Sequence, residues 1–235
     1  EFVKHGSYQL RTPLTTIGGY ADLLASGLAG EMTDGQKGHM SAITTASSQL
    51  AKLIDDILDI AAIDAGQLEL ELGDVDLGEV SQQACDLLAS RAEHEGVKLK
   101  VEAVGAGAPI RGDANRLKQV IYNLVTNAID HLDAGGTVEV DAELEGNEAR
   151  IRVADNGHGI APERQAKIFD RFESGEGGGA GLGLALVNDI VRLHGGWVEL
   201  ESEPGDGTRV ICHLPVAAAT EASAPELALK GAPKS

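Results

Sequence analysis

The sequence predicts an α+β chain: an antiparallel helical hairpin that dimerises as a four-helix bundle, followed by an α/β sandwich. Three observations predict it. Apolar residues recur with heptad spacing through two long segments within residues 1–66. Beyond residue 77 the pattern becomes strand-like alternation interleaved with amphipathic helical stretches. Between them, 67–76 is a short acidic stretch that reads as a linker.

At 235 residues there is room for one large or two modest domains. Apolar residues make up 43% and aromatics only 3%, so the cores must be aliphatic. Asp plus Glu number 37 against 19 Lys plus Arg, a formal charge of −18. That balance argues against nucleic acid as a partner and against direct contact with an anionic membrane, since both require a basic face. Cys85 and Cys212 have no metal-ligand spacing and read as buried thiols of a reducing cytosol. With no leader and no apolar run of membrane-spanning length, a cytoplasmic fragment is expected. Helix-like sequence begins a few residues before Tyr8, so the chain is expected to start in mid-protein.

In the first helix, Leu10, Leu14, Ile17, Ala21 and Leu24 are spaced 4, 3, 4 and 3 apart. Gly27 to Gly35 reads as the connection, with the turn-prone Thr33-Asp34. A second seam follows at Ile43, Ala46, Leu50, Leu53, Ile57 and Ile60, widened by Ile54 and Leu58. Two helices cannot bury such long stripes alone, whereas two copies can. The alternative is a lone hairpin packed on another domain. At about 100° per residue, Tyr8 lies about 150–160° from the centre of the first seam, with Thr12 beside it at i+4. Both are expected to point to solvent. Pro13 removes one backbone hydrogen bond and is expected to bend the helix.

In 77–216, a helix is expected from Leu77 to about Glu95, a strand over Val97–Ala103 and a loop over Gly105–Pro109. Asp113–Leu132 is strongly helical. Thr137–Leu144 and Ala149–Ala154 alternate as strands joined at Gly146-Asn147. Helices follow at Pro162–Phe169 and Leu182–His194, then a hairpin of Trp197–Glu203 and Thr208–Leu214. Residues 217–235, rich in Ala, Pro, Glu and Lys, read as a loose tail.

The stretch Ser7-Tyr8-Gln9-Leu10-Arg11-Thr12-Pro13-Leu14 resembles the H-box of sensor histidine kinases, S-H-E-L-R-T-P-L. Tyr8 stands at the position of the phospho-accepting histidine and Gln9 at that of the acidic base. Five ordered motifs extend the resemblance to the family's Bergerat-type ATP-binding fold. They are Asn123 to Ala128, Asp155 to Ile160, Ile168 to Phe172, Gly177 to Leu184 and Gly205 to Thr208. The resemblance implies that Asn127 binds Mg²⁺ with Asn123 one turn earlier, and that Asp155 accepts the adenine amino group. It further implies that Gly157 and Gly159 let the backbone approach the base, that Arg171 faces the phosphates, and that Gly179, Gly181 and Gly183 expose backbone N–H groups to them. Glycine permits such turns and a helix start favours phosphate. The implied ligands are ATP and Mg²⁺.

The chain departs from the family at several points. Asp130 replaces a lysine that contacts phosphate, and His131 takes the next position. The lid after Phe172 carries Glu173 and Glu176 and no basic residue. A misplaced carboxylate would cost roughly 4 kcal/mol per close pair at an effective dielectric of about 20, less with screening. Weak nucleotide binding is therefore expected. A phenol with pKa about 10 carries a handicap of about 4 kcal/mol as a nucleophile at neutral pH. Gln9 cannot act as its base, and a tyrosyl phosphate ester is a poor donor to aspartate.

The tyrosine-bearing H-box over an eroded pocket resembles members of the family that act in alphaproteobacterial cell-cycle control. That resemblance implies a longer parent with upstream sensor domains, held at the cytoplasmic face of the inner membrane. It also implies a single-domain response regulator and a second, true histidine kinase as partners. The expected function is a dimeric scaffold that docks the regulator. The alternatives are autophosphorylation on Tyr8, or dephosphorylation of the regulator by Thr12 with Gln9 orienting water.

Overall fold

The computed structural model describes residues 2–28, 30–102, 109–173, 180–216 and 228–229, with the backbone alone for 2–10 and 228–229. The chain divides into two compact units, Glu1–Leu68 and Glu69–Ser235.

The first unit is two helices, α1 (Phe2–Ala25) and α2 (Asp34–Asp64). Helix α1 continues through Pro13. Thr33 caps α2 in a reciprocal box with Gln36: Thr33 Oγ1 accepts the Gln36 N–H at 3.3 Å, and Gln36 Oε1 accepts the Thr33 N–H at 2.9 Å. Arg11 meets Asp55 at 2.5 Å and Thr44 meets Asp22 at 3.3 Å, so the helices run antiparallel. Within one copy, among the seam residues whose side chains are described, only Ala21 and Ile60 are buried, while Ile17, Leu50 and Ile57 stay 47–49% exposed. A hairpin alone leaves most of its apolar stripe in water.

Asp56 is an exception on α2, a carboxylate only 5% exposed. Burial pushes its pKa up, and the Lys52 ammonium 3.1 Å away offsets only part of that. With the folded pKa above the unfolded one, the ionised group weighs against folding at neutral pH. That penalty disappears as pH falls through the folded pKa. Asp56→Asn is expected to stabilise the first unit by about 1 kcal/mol at pH 7. Thermal melts at stepped pH should show the gain shrinking towards pH 4.

The second unit opens with β1 (Gly73–Val75), so residues read as linker are its first strand. Then come α3 (Leu77–His94), β2 (Lys98–Glu102), β3 (Ile110–Gly112), α4 (Ala114–Asp130), β4 (Thr137–Glu145) and β5 (Glu148–Asp155). A short α5 (Pro162–Gln165), α6 (Gly183–Leu193), β6 (Trp197–Ser202), β7 (Thr208–Pro215) and β8 (Ala228–Leu229) complete it. The helix expected over Pro162–Phe169 ends four residues early, in turns that lead into the next motif. Strands β1 and β3 pair antiparallel as a separate ribbon. The main sheet runs β2-β4-β5-β7-β6-β8, with β2 parallel to β4, β8 parallel to β6 and the other pairs antiparallel. Ala228 and Leu229 thus pair with Glu199 and Leu200, where the sequence suggested a loose tail; the rest of 217–235 lies outside the described residues.

One face of the sheet carries Val138, Val140, Ile151, Val153, Val210, Cys212, Leu214, Val198 and Leu200, all buried. Helices α3, α4 and α6 bury their own apolar faces with it. Cys85 and Cys212 are free and buried, and burial pushes their thiols up to about 11 and about 12, which leaves them inert. The other face is charged and cross-linked between strands, as in Lys100–Glu139 at 2.7 Å and Arg209–Glu201 at 2.7 Å.

Asp113 ties these layers together at the start of α4. Its Oδ1 accepts the N–H groups of Asn115 and Arg116, and its Oδ2 accepts the N–H of Glu71 at 3.0 Å. Its own N–H donates to His194 Nε2 at 3.0 Å, while His194 Nδ1 donates to the Ile190 carbonyl at 2.8 Å. Both imidazole nitrogens are thereby committed in one neutral tautomer. Burial holds the His194 pKa below its ordinary value.

Candidate functional site

The candidate site is built from α4, the end of β5, the start of α6 and the β6–β7 turn. Asn123 and Asn127 sit one turn apart on α4, because residues at i and i+4 share a face. Asn123 is buried, and its Nδ2 donates to the Gly183 carbonyl at 3.5 Å. That bond brings the first and fourth motifs together. Asn127 is half-buried.

Asp155 ends β5, and its Oδ1 accepts both the Gly157 N–H at 2.9 Å and the Thr208 N–H at 3.3 Å. Among the described residues no donor meets its Oδ2, which suits it to accept from an exocyclic amine. Burial pushes its pKa up, against the opposing pull of those two N–H groups and of His131 and His158. A carboxylate desolvated in a cleft is a common mark of a binding site.

Two glycine turns interlock around Asp155. Gly159 has φ +68°, and a Cβ there would lie 1.9 Å from the Glu203 carbonyl oxygen. Gly207 has φ +84°, and its Cβ would lie 2.1 Å from the Asp155 carbonyl oxygen. The Gly205 N–H donates to the His158 carbonyl at 2.7 Å, closing the two turns on each other. At Gly157 a Cβ would reach within 2.9 Å of the His131 carbonyl. The sequence indicated Gly205–Thr208 as a motif; its contact with Asp155 is what the fold adds.

Helix α6 starts at Gly183, and its N-cap residue Leu182 makes no side-chain cap hydrogen bond. Gly181, φ +67°, packs so tightly on the Glu173 backbone that a Cβ would come within 2.6 Å. Gly177, Gly178, Gly179 and Glu176 lie outside the described residues.

Two ion pairs bear on the charge of the site. Asp130 does not stand as an uncompensated charge against a triphosphate, because its carboxylate is ion-paired with Arg91 of α3. The pair connects residues 39 apart, and nothing in the local sequence signals it. Arg171, which the resemblance implies faces the phosphates, pairs with Asp189 of α6 at 3.2 Å.

In the first unit, Tyr8 and Gln9 lie on the α1 backbone, and their side chains are outside the described residues. Thr12 is exposed on α1, and its carbonyl accepts the Thr16 hydroxyl at 3.0 Å.

The second unit therefore offers an acceptor carboxylate, glycine turns that no side chain can fill, and an uncapped helix start. That set fits a purine nucleotide: Asp155 would receive the amine and the α6 start the phosphates. Asn127 would supply an amide oxygen to Mg²⁺, an ion that takes most of its other ligands from water and phosphate. Among the described residues no group of three or more His, Cys, Asp or Glu could hold a metal without such help.

Two family models match. The His Kinase A phospho-acceptor domain matches residues 1–66, and the histidine kinase-, DNA gyrase B- and HSP90-like ATPase matches 112–218. The chain is 45% identical over 227 residues to the sensor protein DivL of Caulobacter vibrioides, covering 97% of this chain and 29% of that protein. It is 36% identical to the histidine protein kinase DivJ of the same organism, covering 92% of this chain and 37% of that protein. Among solved structures, full-length ShkA in complex with AMPPNP superposes with a TM-score of 0.76 at 32% identity, over 93% of this chain and 46% of that one. The chain spans less than half the length of each of these relatives. None of the described helices is long and apolar enough to cross a membrane.

Proposed function

This chain belongs to the sensor histidine kinase family, and we propose that within it the chain works chiefly as a dimeric scaffold that docks a response regulator around Tyr8. The observation that carries this reading is the H-box itself. Six of its eight residues follow the family, and the two that differ, Tyr8 and Gln9, are the acceptor and the base. A docking surface survives such a change, whereas a histidyl phosphorelay does not. The exposed seam of α1 and α2 supports dimerisation, since a second copy would cover Ile17, Leu50 and Ile57.

In this reading the nucleotide site is retained as a structural or regulatory module. Asp155, Gly157 and Gly159 hold adenine, Asn127 binds Mg²⁺ with Asn123 one turn earlier, and Gly179, Gly181 and Gly183 expose backbone N–H groups to the phosphates. The partners in this reading are a single-domain response regulator and a true histidine kinase of a cell-cycle or cell-division circuit, a reading that the likeness to DivL and DivJ supports. The parent is held at the cytoplasmic face of the inner membrane by segments upstream.

Tyr8→Ala is expected to weaken binding of such a regulator by about tenfold, the loss of one aromatic anchor of roughly 1–2 kcal/mol. Titration calorimetry against the regulator measures it, and unchanged affinity would remove this docking surface from the account. A second reading, autophosphorylation on Tyr8, is favoured by the preserved nucleotide geometry around Asp155. It requires Asn127, Asp155 and Arg171 and is abolished by Tyr8→Phe. Dephosphorylation of the regulator draws on the exposure of Thr12, and would show as aspartyl-phosphate loss that Thr12→Ala stops.

A further inference from the structure

We propose that Asp189 sets the affinity of the nucleotide site by holding Arg171 away from the phosphates. The inference rests on the nucleotide reading above and adds a residue that none of the motifs contains. Arg171 belongs to the segment Ile168–Phe172, and its guanidinium pairs with the Asp189 carboxylate at 3.2 Å. Asp189 lies six residues into α6, about 9 Å along the axis from the start of that helix at 1.5 Å per residue. Phosphate would bind at that start, so the carboxylate anchors Arg171 nearly two turns away from it.

The backbone next to Arg171 is held as well. Phe172 has φ +65°, a conformation that an aromatic residue adopts only under constraint. Its N–H donates to the Gly181 carbonyl at 2.9 Å, and its ring is 70% exposed, so no packing of the ring accounts for the turn. The segment is thus clasped twice to the region around α6, by Phe172 to Gly181 and by Arg171 to Asp189. For Arg171 to meet a γ-phosphate, the ion pair must break first. Asp189 and the triphosphate compete for one guanidinium.

The test is a double-mutant cycle on the full 235-residue chain, using Asp189→Asn, Arg171→Gln and the pair of changes together. Calorimetry with MgATP and with adenosine reads each protein. Asp189→Asn is expected to tighten MgATP by about threefold to fivefold, the range of a part-exposed ion pair. Adenosine, which has no phosphate, is expected to bind all four proteins equally, and that binding also reports an intact fold. In the Arg171→Gln background the Asp189→Asn gain is expected to vanish.

Two outcomes overturn the proposal alone: no gain on Asp189→Asn, or the same gain with and without Arg171. The second would make Asp189 merely a nearby negative charge. If neither adenosine nor MgATP binds any of the four, the nucleotide reading fails and takes this proposal with it.

Discussion

Replacing Gly159 with alanine is expected to lower the unfolding midpoint of the second unit by about 10 °C and to abolish nucleotide binding. Two costs add. At φ +68° an alanine accepts a left-handed backbone, which costs about 1–2 kcal/mol. Its Cβ would also lie 1.9 Å from the Glu203 carbonyl oxygen, so the Glu203–Gly207 turn must move. Overpacking against backbone adds about 1–3 kcal/mol. The displaced turn carries the Thr208 N–H that orients Asp155, so the binding defect follows from the same collision. Gly205→Ala is the control, because a Cβ there meets nothing within 4 Å although φ is +88°. It should show the backbone cost without the steric one. Differential scanning calorimetry on both variants separates the two terms.

Asp113→Ala is expected to destabilise the second unit by about 2–3 kcal/mol. Loss of the cap on α4 accounts for about 1 kcal/mol. Leaving the Glu71 N–H without its acceptor adds roughly another 1 kcal/mol or more. Asp113→Asn should recover about half, since one amide oxygen can serve the Asn115 and Arg116 N–H groups or Glu71, but the NH₂ group cannot accept. Urea titration followed by helical circular dichroism measures both. Because Glu71 stands at the entry to the second unit and α4 carries Asn123 and Asn127, the variant should also weaken MgATP binding.

Much of this fold was legible because its long elements carry strong periodicity. The seams of α1 and α2, the apolar face of α4 and the alternation of β4 and β5 all lie where the residue spacing put them. The three-residue strands β1 and β3 were not legible. They are too short for alternation to register, and their pairing joins Gly73 to Gly112 across the whole of α3. Asp155 and its glycines were readable from the motif, and the Gly205–Thr208 turn from its place in the order of motifs. The ion pairs that change the site's charge were not, because Arg91–Asp130 and Arg171–Asp189 join residues on different elements. One signal was available for the latter: a carboxylate on the helix that follows the glycine-rich motif Gly177 to Leu184, where the resemblance would favour a cation.

In the scaffold role proposed above, Tyr8 is part of a docking surface and not a phosphoryl acceptor. Intact-mass spectrometry of the purified chain after incubation with saturating MgATP tests it most directly, with Tyr8→Phe alongside. No gain of phosphate is expected in either protein. One phosphate on the parent chain and none on Tyr8→Phe would contradict it and make the protein a tyrosine autokinase.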